Sequence, residues 1–210
     1  MPVIRPVPFS LGLLALVLVW MGPLPPLAAL YFSAHMTMHM GVVAVAAPLL
    51  ALGLREWPAA QSRVIPAAVP ASCLELVVVW VWHSPALHHA ARQSAWALWA
   101  EQTLFLASAL LVWVVAFATS PRHSSGAGVV ALLLTSMHMT LLGALFALSS
   151  RVLYPHVMQG PWGMTPLEDQ HLGGTIMLVA GGLSYMAGGL GLSARLLASQ
   201  HALRSPTRSL

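Results

Sequence analysis

The chain has 210 residues, of which 58% are hydrophobic and 7% charged, and its mean hydropathy is +0.80. Soluble domains carry roughly a quarter charged residues, so the composition excludes one and defines an all-α integral membrane protein, read as a single membrane domain over residues 1–210. Nine basic residues, all arginine, stand against five acids, yet no basic patch is interleaved with aromatics as a nucleic-acid groove requires, and the lone Cys73 excludes a disulfide framework or a CxxC site.

Residues 9–22 form the first apolar run, after Arg5 and before Pro23-Leu24-Pro25-Pro26. The run is short for a span, which usually takes about 20 apolar residues. The proline break lacks a small-x-small cleavage site, so the run is read as a retained helix rather than a signal peptide. The second helix occupies residues 26–54, with its span over 30–54. Pro26 suits a first helical turn and Pro48 predicts a kink. Its head carries His35-Met36-Thr37-Met38-His39-Met40. Residues four apart share a helix face, so His35 and His39 point the same way, with Met38 beside them. Ionisable groups within a span are costly and read as functional.

The third span covers 67–83 and ends in Trp80-Val81-Trp82-His83-Ser84-Pro85. Paired tryptophans mark a membrane interface and the proline stops the helix. Cys73 reads there as a small hydrophobe, and Glu75 is expected to pair with an arginine or a hydroxyl. His88 and His89 are expected in a solvated loop. The fourth span, 96–118, opens with Trp96 and Trp99, with Glu101 and Gln102 just inside. After a turn region at 119–127, the fifth span covers 128–149 with Ser136-Met137-His138-Met139 at its centre.

A loop bearing Arg151, His156 and Trp162 leads to the sixth span, 168–195. Its start is legible: Thr165 at the N-cap, Pro166 at the first position and Glu168 at the third make a capping box. Glu168 and Asp169 fall where the helix dipole favours negative charge. Gly173-Gly174, Gly181-Gly182 and Gly188-Gly189 recur about every two turns and predict one glycine seam for close helix packing.

With six spans, one side of the membrane holds Arg5, Arg55, Arg63, Arg122, Arg195, Arg204 and Arg208, and the other only Arg92 and Arg151. The positive-inside rule then puts both termini in the cytoplasm. That topology sorts His35, His39, His83, Glu101, Asp169 and His171 into the outer half of the bilayer, with His138 near the midplane. Imidazole and thioether donors without a thiolate pair favour copper, above all Cu(I), over zinc. The candidate ligands are His35, His39 and His138, supported by Met38, His83, Met139 and Asp169. Histidines on facing helices equally suit axial haem ligation, and periodicity leaves both open.

The blocks AHMTMHM…APLLALG, WVWHSPALHHAA, LLGALFALSSRVLYP and WGMTPLEDQHLGGTIMLVAGGL closely resemble, in order and over roughly residues 30–190, the CtaG family of multi-span cytochrome c oxidase assembly factors. The His-x-x-x-His at the head of a span and the Glu-Asp-Gln before Gly-Gly are the most specific. The resemblance implies a multi-pass protein of the bacterial inner membrane that helps mature a haem–copper oxidase by handling copper. Its implied partners are oxidase subunits or a periplasmic copper chaperone. The match puts His35, His39, His83, Asp169 and Gln170 at family motif positions. His138 stands where members carry a polar residue, often His or Gln, and His171 where Gln is usual. The chain has one span fewer than members described with seven.

No nucleophile–base–acid constellation and no glycine-rich phosphate loop is present, so a non-enzymatic assembly role is expected. A membrane b-type haem protein or haem carrier is the first alternative, and a copper transporter the second. Against transport, the inner halves of the spans offer few soft ligands beyond Cys73 and Met186.

Overall fold

Apolar runs punctuated by proline set the helices of the computed structural model, which describes residues 4–56, 68–117, 125–154 and 160–204. Arg63, Arg122, His156 and Arg208 lie outside the described residues, as does the side chain of Arg204. Helix α1 (Pro6–Met21) is followed by the single turn α2 (Leu24–Ala28), then α3 (Phe32–Met40), a π-helix π1 (Gly41–Ala46) and α4 (Ala47–Leu54). The remaining helices are α5 (Ala68–Trp82), the short α6 (Pro85–Gln93), α7 (Ala95–Phe117), α8 (Ser125–Ala147) and α9 (Pro166–Arg204). No strand occurs among the described residues.

Each of the six expected spans falls on a helix, but four are long and apolar enough to cross a membrane: Phe32–Leu54, Ala95–Phe117, Gly126–Ala147 and Pro166–Gln200. The other two, Pro6–Met21 and Ala68–Trp82, are apolar but shorter. At 1.5 Å per residue they reach roughly 22–24 Å, against about 30 Å of hydrocarbon. Proline clusters cut α1 at both ends, which is why an apolar run there stays short.

The histidine-bearing helix changes its winding partway. Pro48 has no N–H, so the carbonyl of Ala44, one turn back, loses its helical donor. Ser184 of α9 donates its hydroxyl to that carbonyl at 2.7 Å, and Trp113 of α7 donates its indole N–H to the Val43 carbonyl at 3.2 Å. The kink expected at Pro48 thus takes the form of a π-turn whose freed carbonyls are satisfied by neighbours. Such turns recur at functional sites, and this one follows directly on His39.

Helix α9 packs along both α8 and α3, α1 lies on α4, and α5 touches α7 and α8. The glycine pairs of α9 serve two faces, not the single seam expected. A Cβ on Gly174 would stand 2.4 Å from the Ala147 nitrogen and 2.7 Å from the Gly143 carbonyl oxygen, so α8 and α9 approach backbone to backbone. Its pair-mate Gly173 faces Phe32 instead, Gly181 faces Met139 and Met40, and Gly188 faces Trp113. Adjacent residues are about 100° apart around a helix, so the second glycine of each pair faces α8 while the first reaches α3 or α7, with Gly181 and Gly188 also meeting α8 side chains.

The two ends of the bundle differ in charge. Arg5 pairs with Glu56 at 2.7 Å, and its backbone N–H bonds the Gly53 carbonyl at 3.0 Å, joining the start of α1 to the end of α4. Arg55 and Arg195 act on one another at that same end. Arg92 lies at the opposite end, bonded to the carbonyls of Ala28 and Ala29.

Candidate metal site

His35 and His39 lie one turn apart on α3 and are 1% and 0% exposed. Two further histidines converge on them from the junction of α5 and α6. The His35 ring centroid is 4.6 Å from that of His88 and 6.2 Å from that of His83. The His39 and His83 rings are 5.3 Å apart. From α7, a Glu101 carboxylate oxygen approaches His35 Nε2 at 3.5 Å. His35, His88 and Glu101 each offer one ligand atom, and these atoms lie within 4.8 Å of one another, all fully buried.

His88 corrects the expectation of a solvated loop. Ser84-Pro85 ends α5, but Pro85 at the first helical position also starts α6. One face of that short helix, His88 and Ala91, turns inward, while His89 remains exposed. Tyr154 packs over His88 with ring centroids 4.3 Å apart. It also donates its hydroxyl to the His83 carbonyl, and burial pushes that hydroxyl well above its ordinary range, keeping it a donor.

His83 is oriented by its own helix. Its Nδ1 lies 2.7 Å from the Val79 carbonyl, which can only accept, so Nδ1 carries the proton. The Nε2 lone pair therefore faces the cage, where it has no hydrogen-bond partner among the described residues. Both ring nitrogens of His39 are likewise without one. Phe105 packs on His39 with ring centroids 4.0 Å apart, and Phe146 lies 5.8 Å from His83. Buried polar atoms left unpaired cost of order 1–3 kcal/mol each, so such a cluster calls for a ligand.

His138 is buried in α8, one level below this cage. Helices α5 and α8 run side by side in one direction: Ser72 bonds Thr135 at 2.7 Å, and His83 stacks on Phe146 the same number of residues further along. That register sets His138 level with Glu75, within electrostatic range of His39. Its two nitrogens also have no hydrogen-bond partner among the described residues. Glu75 accepts from the Tyr185 hydroxyl at 2.5 Å, the hydroxyl pairing expected of it. Met38 is fully buried beside the histidines. Met139 and Met40 pack against Gly181, so their placement is accounted for by helix packing.

The Glu-Asp-Gln-His run at the head of α9 holds four separate pieces in place. Glu168 accepts from the backbone and hydroxyl of Thr165 at 2.7 and 2.9 Å, completing the capping box. Asp169 reaches across to α3, accepting from the Phe32 N–H at 2.7 Å, the Ser33 N–H at 3.2 Å and the Ser33 hydroxyl. It therefore caps the helix that carries His35 and His39. Gln170 accepts from the Leu153 N–H at 2.7 Å and donates to the Arg151 carbonyl at 3.2 Å, fixing the strap that delivers Tyr154. His171 bonds the Ser149 carbonyl at 2.8 Å.

Of the residues singled out from sequence, the cage brings together His35, His39 and His83, sets His138 below them and uses Asp169 to hold α3. His88 and Glu101 complete the tight group. The signals for them were the Ser-Pro helix start ahead of His88 and an acid inside an apolar span. Gln102 supports Glu101, donating to its second oxygen at 3.2 Å.

A membrane-type helical bundle with four buried histidines and a carboxylate gathered into one cage is the class of protein that fold and site define. The family model of the cytochrome c oxidase caa3 assembly factors (Caa3_CtaG) matches residues 1–199, and the chain belongs to that family. No curated protein and no solved structure matches the chain.

Proposed function

We propose that the protein is a non-enzymatic assembly factor that takes copper into the cage of His35, His39, His83, His88 and Glu101 and passes it to a haem–copper oxidase. The observation that carries this is the convergence of four buried imidazoles and one carboxylate from α3, α5, α6 and α7. Imidazole-rich donor sets suit copper, and the absence of thiolate suits an ion that must be given up again. Phe105 and Tyr154 lie directly against the imidazole faces, an arrangement that favours a single ion over the broad plane of a haem. Soft donors continuing inward from the cage are few, because Glu75, Tyr185, Ser72 and Thr135 are oxygen groups, which favours holding copper over transporting it.

The arginine asymmetry supports a bacterial inner-membrane protein whose short helices α1 and α5 also cross, with both termini cytoplasmic and the cage towards the periplasm. The oxidase, or a periplasmic copper chaperone, is then the partner on the cage side. The test is complementation in a strain lacking the protein, read as copper and haem content of the purified oxidase. Wild type restores both, whereas His35→Ala/His39→Ala yields an oxidase with haem but depleted in copper. Full copper in that oxidase would sink the proposal, and loss of haem would favour haem delivery instead.

A further inference from the structure

One wall of the cage is also the floor of a surface cavity. A cavity of about 200 Å³ opens between the α2–α3 junction, the end of α6 and the start of α7, and its lining includes His35, Arg92, Gln93 and Ser94. Of the residues that line it, only His35 belongs to the cage. The side chain of Arg92 bridges the rim. Its Nη1 donates to the Ala28 carbonyl at 3.1 Å and its Nη2 to the Ala29 carbonyl at 2.5 Å, tying α6 to the end of α2.

Arg92 is also tied electrostatically to the cage. The carboxylates it feels are Asp169, which caps α3, and Glu101, which faces His35 at 3.5 Å. The guanidinium's hydrogen bonds at the rim go to two neutral carbonyls, not to a carboxylate. Those bonds are weaker than charge-assisted pairs with a carboxylate.

We propose that this cavity is the port by which copper reaches and leaves His35, and that Arg92 is the latch across it. The latch is closed by the carbonyls of Ala28 and Ala29 and opens when the guanidinium lets go of them. The inference rests on the copper reading above. A lysine at this position offers a single compact ammonium and cannot span both carbonyls as the planar guanidinium does, so Arg92→Lys is a partly opened latch.

The experiment is anaerobic exchange of Cu(I) between the purified full-length protein and a chromophoric Cu(I) chelator, followed by absorbance, with bound copper at equilibrium measured separately. Arg92→Ala removes both rim hydrogen bonds and is expected to speed exchange in both directions by about tenfold or more, since loss of even one bond from a charged donor carries that factor, with stoichiometry unchanged. Arg92→Lys should fall between it and wild type. Gln93→Trp, at an exposed lining position, should slow exchange by obstructing the port. Unchanged rates in Arg92→Ala and Gln93→Trp would overturn the port and latch while leaving copper binding intact. Loss of copper or of the folded state in Arg92→Ala, with no effect of Gln93→Trp, would assign Arg92 to structure and also overturn it. A wild-type protein that takes up no copper would instead refute the functional reading on which the port depends.

Discussion

The carboxylate of Asp169 lies on one helix and serves another, so its removal separates the support of the site from its ligands. Asp169→Ala deprives the Phe32 and Ser33 N–H groups and the Ser33 hydroxyl of their acceptor. The side chains sit at 1% and 5% exposure, so water reaches them poorly. Loss of a helix cap costs about 1 kcal/mol, and each of the three buried donors left unsatisfied about 1–3 kcal/mol; together these put the change at about 4 kcal/mol or more. For a chain of this size that is a fall in Tm of at least about 8–16 °C, measurable by tryptophan fluorescence during thermal unfolding in detergent. Because His35 is within the first turn of the freed α3, copper affinity should fall by about 10–100-fold, as it does when groups that orient metal ligands are removed. Asp169→Asn keeps one acceptor oxygen and should lose less of both. An alanine variant with wild-type melting and wild-type affinity would refute the reasoning that α9 holds α3 in place.

Two further outcomes follow from the same geometry. His88→Ala should lower bound copper while His89→Ala, whose side chain is exposed, should not; equal effects would remove His88 from the cage. Gly174→Ala places a methyl against the backbone of α8 and should destabilise by about 1–3 kcal/mol. Gly191→Ala meets nothing within 4 Å and should be neutral or stabilising by up to about 1 kcal/mol, both read by the same melting assay.

Much of this architecture was legible in the chain. Apolar runs placed α1, α5, α7 and α8 to within a few residues but missed the break between α2 and α3, the short α6 and the extension of α9 to Arg204; the Thr-Pro-Leu-Glu start of α9 announced its cap because capping depends on residues three positions apart. The histidine pair on α3 was visible for the same local reason. Contacts made across the bundle were not. Asp169 was singled out from its place at a helix start, but the helix it serves lies 136–137 residues away in sequence, and no local pattern encodes that. His88 followed a helix-stopping Ser-Pro, and the same proline is a helix starter; which role it plays depends on whether a second short helix finds a surface to cover. The number of glycines in α9 was plain, but their division between α8 and the interior follows from which helices flank it. Met40 and Met139 lie beside the glycine stripe, a packing contact that composition does not show.

The central claim is that the buried cage holds copper, and metal analysis of the purified protein tests it most directly. Copper is loaded anaerobically, excess is removed, and copper, zinc and haem are quantified in the wild type beside a folded His35→Ala/His39→Ala variant. Near-stoichiometric copper in the wild type, lost in the variant, with no haem Soret band in either, is the predicted result. Equal copper in both proteins, or none in the wild type, would contradict the account.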